Sequence, residues 1–346
     1  MDLYTRLSLI CTQISQITLE YTGCENAGAN FTATTEGTFT DLPNFFYQLK
    51  SGDDKLSFTK PQWSFLSDPE NTDHSKRMQC RLKFELPANF QHPVFVYYKL
   101  TNYYQNHRRY VQSLNADQLK GKAVSVSALS TSSCKPLAVS ADNKPIYPCG
   151  LIANSVFNGK WCRGRLSVNW PYMEHIADEY KPGTNNELYA VPGVWRIGEQ
   201  VSRSNPGTVY KHYKPTLLRT EPMILTHSAD TIRNPVNTAD NTTYTFSEKG
   251  IAWPGEKKKY SATTEYKLSE IVPPPNWALR YPSNYTESNF PDLTQDEHFQ
   301  NWMRTAGLPT FSKLYGRNDN DDLKAGTYTL DVYLSAYHCY TQALTH

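Results

Sequence analysis

The sequence predicts a mainly β protein: an antiparallel, β-sandwich-like fold with long loops and a few short helices. Three observations lead there. The chain is rich in strand-favouring Tyr (24) and Trp (7) and in turn-favouring Pro (22). Several short segments alternate polar and apolar residues with a period of two, as half-buried strands do. Helical periodicity is confined to brief stretches. With 346 residues, the chain suffices for one large all-β domain or two average ones, with ample core.

Residues 1–22 mix helix and strand signals. Residues 23–80 read as loop-rich, with aromatic islands at 45–47 and 63–65 and a polar run at 68–76. From Cys80 the sequence CRLKFEL alternates cleanly and predicts a half-buried strand. Residues 93–100 predict a second, more buried strand, and 113–119 a short helix or turn. Residues 134–149 enclose a loop containing Pro136, Asp142, Asn143, Pro145 and Pro148. The long polar stretch 158–249 fits a loop system or a small subdomain equally well. Residues 250–253 and 260–266 suggest further strands, and PPPNW at 273–277 a rigid extended turn. A helix is predicted over 296–305, where Phe299, Trp302, Met303 and Ala306 share one face behind an acidic start. NDNDD at 318–322 reads as a solvated hairpin turn, and 327–334 as the final strand, with Tyr328, Leu330, Val332 and Leu334 on one side.

Composition narrows the function. A net charge of +2 gives no field favouring nucleic acid or an anionic membrane. No apolar run reaches the ~20 residues of a membrane span. The patch at 7–11 is flanked by Arg6, Gln13, Ser15 and Gln16 and makes a poor signal peptide. The seven cysteines include no CxxC pair, and the nine histidines include no HxH or HxxxH pair, which argues against a zinc site. Sequons begin at Asn30, Asn241 and Asn284; with the spaced cysteines they favour an oxidising, lumenal or extracellular setting. A disulfide between Cys134 and Cys149, 15 apart, would stabilise the fold by roughly 3 kcal/mol through loop-closure entropy. Cys24 and Cys80 can supply a second bridge, leaving an odd set of Cys11, Cys162 and Cys339.

The segment 97–121 is the most informative. It packs Tyr98, Tyr103, Tyr104, His107, Arg108, Arg109 and Tyr110 around the amides of Asn102, Gln105 and Asn106. The reading of these residues is a buried or half-buried polar knot, with guanidinium groups held by carboxylates or carbonyls and shielded by tyrosine rings. Stacking on single-stranded nucleic acid would use similar residues, but no wider basic stripe accompanies them. His107 as a general base beside Arg108 lacks any nucleophile motif such as GxSxG. The acidic turn at 318–322 lacks the glycine and distal glutamate of an EF-hand loop. Asp296 and Glu297 as a glycosidase pair are explained equally by helix-start electrostatics.

Four blocks in order carry a more specific signal: LTNYYQNHRRYV at 100–111, PCGLIANSVFN at 148–158, GIAW at 250–253, and FQNWMRTAGLPTFSKLY at 299–315 followed by GTY at 326–328. Together they resemble the Cdc50/Lem3 (TMEM30) family, the accessory β-subunits of P4-ATPase phospholipid flippases. The resemblance runs from about residue 21 to 337, and residues 23–80 with the insert after Asn158 look more like fungal members. It implies a lumenal or extracellular, glycosylated, disulfide-linked antiparallel ectodomain at 23–337, with a long insert at 159–249. Two membrane helices would flank it, with both termini cytosolic. It implies no catalysis and no cofactor, since ATP, Mg²⁺ and the phosphorylated aspartate belong to the P4-type ATPase partner, whose folding, export from the endoplasmic reticulum and transport cycle the subunit supports. The pairs Cys134–Cys149 and Cys24–Cys80 match family disulfides. Both membrane helices are expected to be missing from this chain, with 1–22 a membrane-proximal remnant and 338–346 an atypical tail. The residues expected to support fold and partner contact are Asn102, Gln105, Asn106, His107, Arg108, Arg109, Asn154, Trp302, Arg304 and Tyr315, with the arginine-bearing segments close together and sharing partners. The rival class is a secreted carbohydrate-active enzyme or lectin-like β domain, which would bind sugar.

Overall fold

The computed structural model describes residues 15–24, 27, 38–50, 55–68, 77–156, 232–277 and 280–334. Among these, nine strands form three antiparallel sheets. The strands are β1 (Gln16–Leu19), β2 (Thr40–Asp41), β3 (Phe45–Gln48), β4 (Gln62–Ser67), β5 (Met78–Leu86), β6 (Val94–Leu100), β7 (Val236–Asn237), β8 (Phe311–Asn318) and β9 (Gly326–Tyr333). The main sheet has the order β2-β4-β5-β9-β7, and two smaller ladders pair β1 with β3 and β6 with β8. Five α-helices are short: α1 (Arg108–Val111), α2 (Ala116–Leu119), α3 (Val126–Ser130), α4 (Leu151–Asn154) and α5 (Glu297–Met303). No helix of the described residues is long and apolar enough to cross a membrane.

Alternation in β5 puts Cys80, Leu82 and Leu86 inside, and in β9 it buries Tyr328 and Val332. The two strands meet with Cys80 opposite Val332 and Leu82 opposite Leu330. A bidentate ion pair, Arg81 Nε and Nη2 to the Asp331 carboxylate at 2.7 and 3.0 Å, clasps the same ladder. Cys24 is bonded to Cys80, tying the N-terminal segment to the central strand. The 56-residue separation of that pair corresponds to about 4 kcal/mol of loop-closure entropy. Cys134 is bonded to Cys149 and lies in a small core with Leu129, Ala138 and Ile146.

Several expectations are corrected. Within residues 23–80 the aromatic islands are strands, β3 and β4, and Trp63 and Phe65 are buried in the main core. Residues 250–253 and 260–266 form no strands. Their backbone bonds go elsewhere: Ile251 and Ala252 donate to the Glu297 carboxylate at 2.9 and 3.0 Å, and Ser261 and Glu265 donate to the carbonyls of Leu119 and Gly121. Residues 275–277 form a 3-10 turn rather than an extended one. The acidic stretch 318–322 is not a hairpin, because β8 and β9 belong to different sheets; Asn318 Oδ1 accepts from the amides of Asn320 and Asp321 and turns the chain between them. The described end of the insert is part of the main fold, since β7 pairs with β9. Residues 1–14, 157–231 and 335–346, with Asn30, Cys11, Cys162 and Cys339, lie outside the described residues.

Candidate functional site

Three of the sequence blocks meet in one packed junction, and the fourth is fastened to its edge. Leaving β6, the chain turns at Asn102, whose φ is 56°, and inserts Tyr103. The Tyr103 ring packs edge-on against Tyr110, Trp302 and Phe311 at 6.3, 5.6 and 6.2 Å. The Tyr110 hydroxyl shares a 2.6 Å hydrogen bond with Ser155 Oγ. Gln105 is fully buried, and its Oε1 accepts from the Ala306 amide at 2.8 Å. Asn106 Nδ2 donates to the Gly307 carbonyl at 3.1 Å. Burial pushes the phenols of Tyr98, Tyr103 and Tyr110 above their ordinary value.

The helix α4 explains the second block. Four residues cannot satisfy their own terminal carbonyls. Two indoles do so instead: Trp302 Nε1 donates to Ile152 O and Trp277 Nε1 to Ala153 O, each at 3.0 Å. Asn154 Oδ1 accepts from the Asn276 amide at 2.9 Å. At the other end, the Leu151 amide donates to the buried Ser113 Oγ at 2.8 Å. Gly150 sits between them at a φ of 105°, where a Cβ would stand 2.1 Å from Ser113 O. Only glycine fits there.

The third block is tied to both ends of α5. Glu297 in its first turn accepts from Ile251 and Ala252. Just past its last turn, the Arg304 guanidinium lies 3.3 Å from the centroid of Trp253, which is 61% exposed. Asp296 caps the helix by accepting from the Phe299 amide at 2.8 Å. Its C-terminal carbonyls are capped by Lys313, a 7% exposed residue of β8 whose Nζ donates to Asn301 O at 2.8 Å and to Arg304 O. Burial, with the neighbouring Arg304 charge, pulls the Lys313 ammonium down to about 8.

The guanidinium knot is corrected. Arg108 and Arg109 are exposed, His107 is half-buried, and the buried members are Tyr103, Gln105 and Tyr110. Burying two cations without carboxylates costs several kcal/mol each, so the segment buries neutral amides and hydroxyls and turns the arginines to solvent. Arg304 stacks on Trp253 rather than sharing a partner with Arg108 or Arg109. Tyr315 is half-buried, its hydroxyl accepting from the Ile232 amide at 3.2 Å. Sequence reasoning missed Ser113, Gly150, Trp277 and Lys313. A signal existed for Lys313, which lies between Phe311 and Tyr315 at strand spacing, on a side meant for the core. Among the described residues no group of His, Cys, Asp and Glu is arranged to hold a metal.

A profile of the LEM3 (ligand-effect modulator 3) family / CDC50 family matches residues 7–181 and 226–341. The chain is 33% identical over 332 residues to the phospholipid-transporting ATPase accessory subunit CRF1 of Saccharomyces cerevisiae, covering 95% of this chain and 63% of that protein. It is 30% identical over 324 residues to the accessory subunit LEM3 of the same yeast, covering 93% and 60%. With cell cycle control protein 50A of Mus musculus it shares 31% over 268 residues, 73% of this chain and 54% of the mouse protein. The chain thus spans about three fifths of the length of the yeast relatives it matches. With a profile match over most of its length and 33% identity to CRF1 over 95% of the chain, the chain belongs to the LEM3/CDC50 family.

Proposed function

We propose that this chain forms the non-catalytic, contact-making ectodomain of an accessory β-subunit of a P4-type ATPase that translocates phospholipid. The observation that carries the reading is the likeness, over 95% and 93% of the chain, to two proteins named as accessory subunits of phospholipid-transporting ATPases. On this reading residues 23–337 face the lumen or the cell exterior between two membrane helices, and the subunit supports folding, export from the endoplasmic reticulum and the transport cycle of its partner. ATP and Mg²⁺ chemistry belongs to that partner. The two disulfides suit an oxidising compartment. Asn241 and Asn284 are exposed at turns, accessible to glycosylation. The buried side chains of Gln105 and Trp302 hold the junction from beneath, and Trp253 under Arg304 presents an aromatic-cation pair for partner contact.

Affinity purification of the tagged full protein from detergent-solubilised native membranes is expected to bring down a P4-type ATPase. Replacing Trp253 and Arg304 together by Ala is expected to weaken recovery while leaving thermal melting unchanged. Recovery of intact subunit with no such ATPase overturns the reading.

A further inference from the structure

The solvent side of the segment 103–110 borders a shallow, open cleft of about 430 Å³. One wall is His107, Arg108, Arg109 and Gln112; the other is Ser132, Ser133 and Lys135. The lining holds no carboxylate, and its imidazole, guanidinium, ammonium, amide and hydroxyl groups sit at the ends of largely apolar stems. Arg108, Arg109 and Lys135 are exposed and form no ion pair with a described residue. Some cations of this protein pair with acids, as Arg81 with Asp331, Lys122 with Asp117, Lys259 with Glu256 and Arg317 with Asp319 do. Three positive charges with no acid paired to them among the described residues repel one another around this cleft, and that cost falls when an anion enters.

Both walls are held rigidly. The first is anchored by Tyr110, 1% exposed, through its bond to Ser155. The second is anchored by the Cys134–Cys149 bridge, and Ser133 Oγ donates across to Leu114 O at 3.4 Å. The backbone that carries the donors is therefore fixed before any ligand arrives, while the exposed Arg and Lys side chains order on binding. Guanidinium forks, an ammonium, an amide and hydroxyls suit a compact oxyanion with several acceptor oxygens. A peptide groove would offer anchor pockets lined by Leu, Ile, Val, Met, Phe, Tyr or Trp, and none of the seven lining residues is one of these.

We propose that this cleft is a binding site for a phosphate group, carried either by a soluble phosphate or by a phospholipid headgroup. The site stands apart from the accessory-subunit reading and does not depend on it. The test is a calorimetric titration of the whole protein with inorganic phosphate at constant ionic strength, beside flotation with phosphatidylcholine vesicles with and without phosphatidic acid. The variants are Arg108→Gln with Arg109→Gln, and Lys135→Gln; Lys258→Gln, on a distant basic turn, is the control. Saturable phosphate binding weakened at least about tenfold by the cleft variants, and not by the control, supports a soluble ligand. Phosphatidic acid-dependent flotation lost in the same variants supports a headgroup. Absence of both, loss that the control reproduces, or cleft-dependent binding of a poly-glutamate peptide alone overturns the proposal. Thermal melting of each variant separates loss of the site from loss of the fold.

Discussion

Arg108 and Arg109 stand on the outside of a segment whose inside is Tyr103, Gln105 and Tyr110. Arg108→Ala is therefore expected to melt within a degree or two of the parent, whereas Trp302→Ala, which empties a 1% exposed site and uncaps Ile152, is expected to cost about 3–5 kcal/mol. Comparative denaturant melts of the two variants decide this, and a large loss for Arg108→Ala would restore the buried-knot picture. Lys313 gives a pH signature. Its folded value of about 8 lies below the ordinary 10.5, so the unfolded chain holds that proton more tightly. Stability therefore rises with pH between those values, and the cost of the buried charge, up to about 3 kcal/mol, is fully present below that window. Tyr98, Tyr103 and Tyr110 act oppositely above their ordinary 10.0, because unfolded phenols ionise first. The expected rise between pH 8 and 10 should vanish in Lys313→Met; a variant with the parent's slope would assign the effect elsewhere.

At the scale of elements, legibility followed periodicity. The helix α5 was readable because Phe299, Trp302 and Met303 repeat at helical spacing behind Asp296, and all three are buried. Its cap is exposed to test: Asp296→Ala removes the acceptor for Phe299 and is expected to cost about 1 kcal/mol in chemical denaturation. No measurable loss would mean that the cap is redundant with Glu297. Strands β5 and β9 were readable from the alternation over 80–86 and 327–334. The two-residue strands β2 and β7 were not, since two residues carry no period. Residues 250–266 misled because aromatic content imitates a strand there, while their amides are satisfied by Glu297 and by distant loop carbonyls. The helix α4 was invisible for the same reason: its carbonyls are capped by Trp277 and Trp302, 124 and 150 residues away. The candidate site was thus legible as a set of blocks, but its internal order was not. Which face of residues 103–110 goes inward depends on the Trp302 and Phe311 rings that the fold delivers.

For the whole molecule, the decisive contacts are distant in sequence. The main sheet needs β9 between β5 and β7, and Arg81 reaches Asp331 across 250 positions. A chain ending at residue 325 is expected to show no cooperative thermal transition, because β5 and β7 lose their common neighbour. A sharp transition in that truncation would mean that the sheet closes without β9. The placing of β9 has a further consequence in the order of synthesis. After β5 has emerged at residue 86, its seat for β9 stays vacant until residue 326 follows. At translation rates of roughly 5–20 residues per second, that is on the order of tens of seconds. Through that interval the growing chain carries an open backbone seam, and whatever machinery attends its birth must guard that seam until the last strand docks.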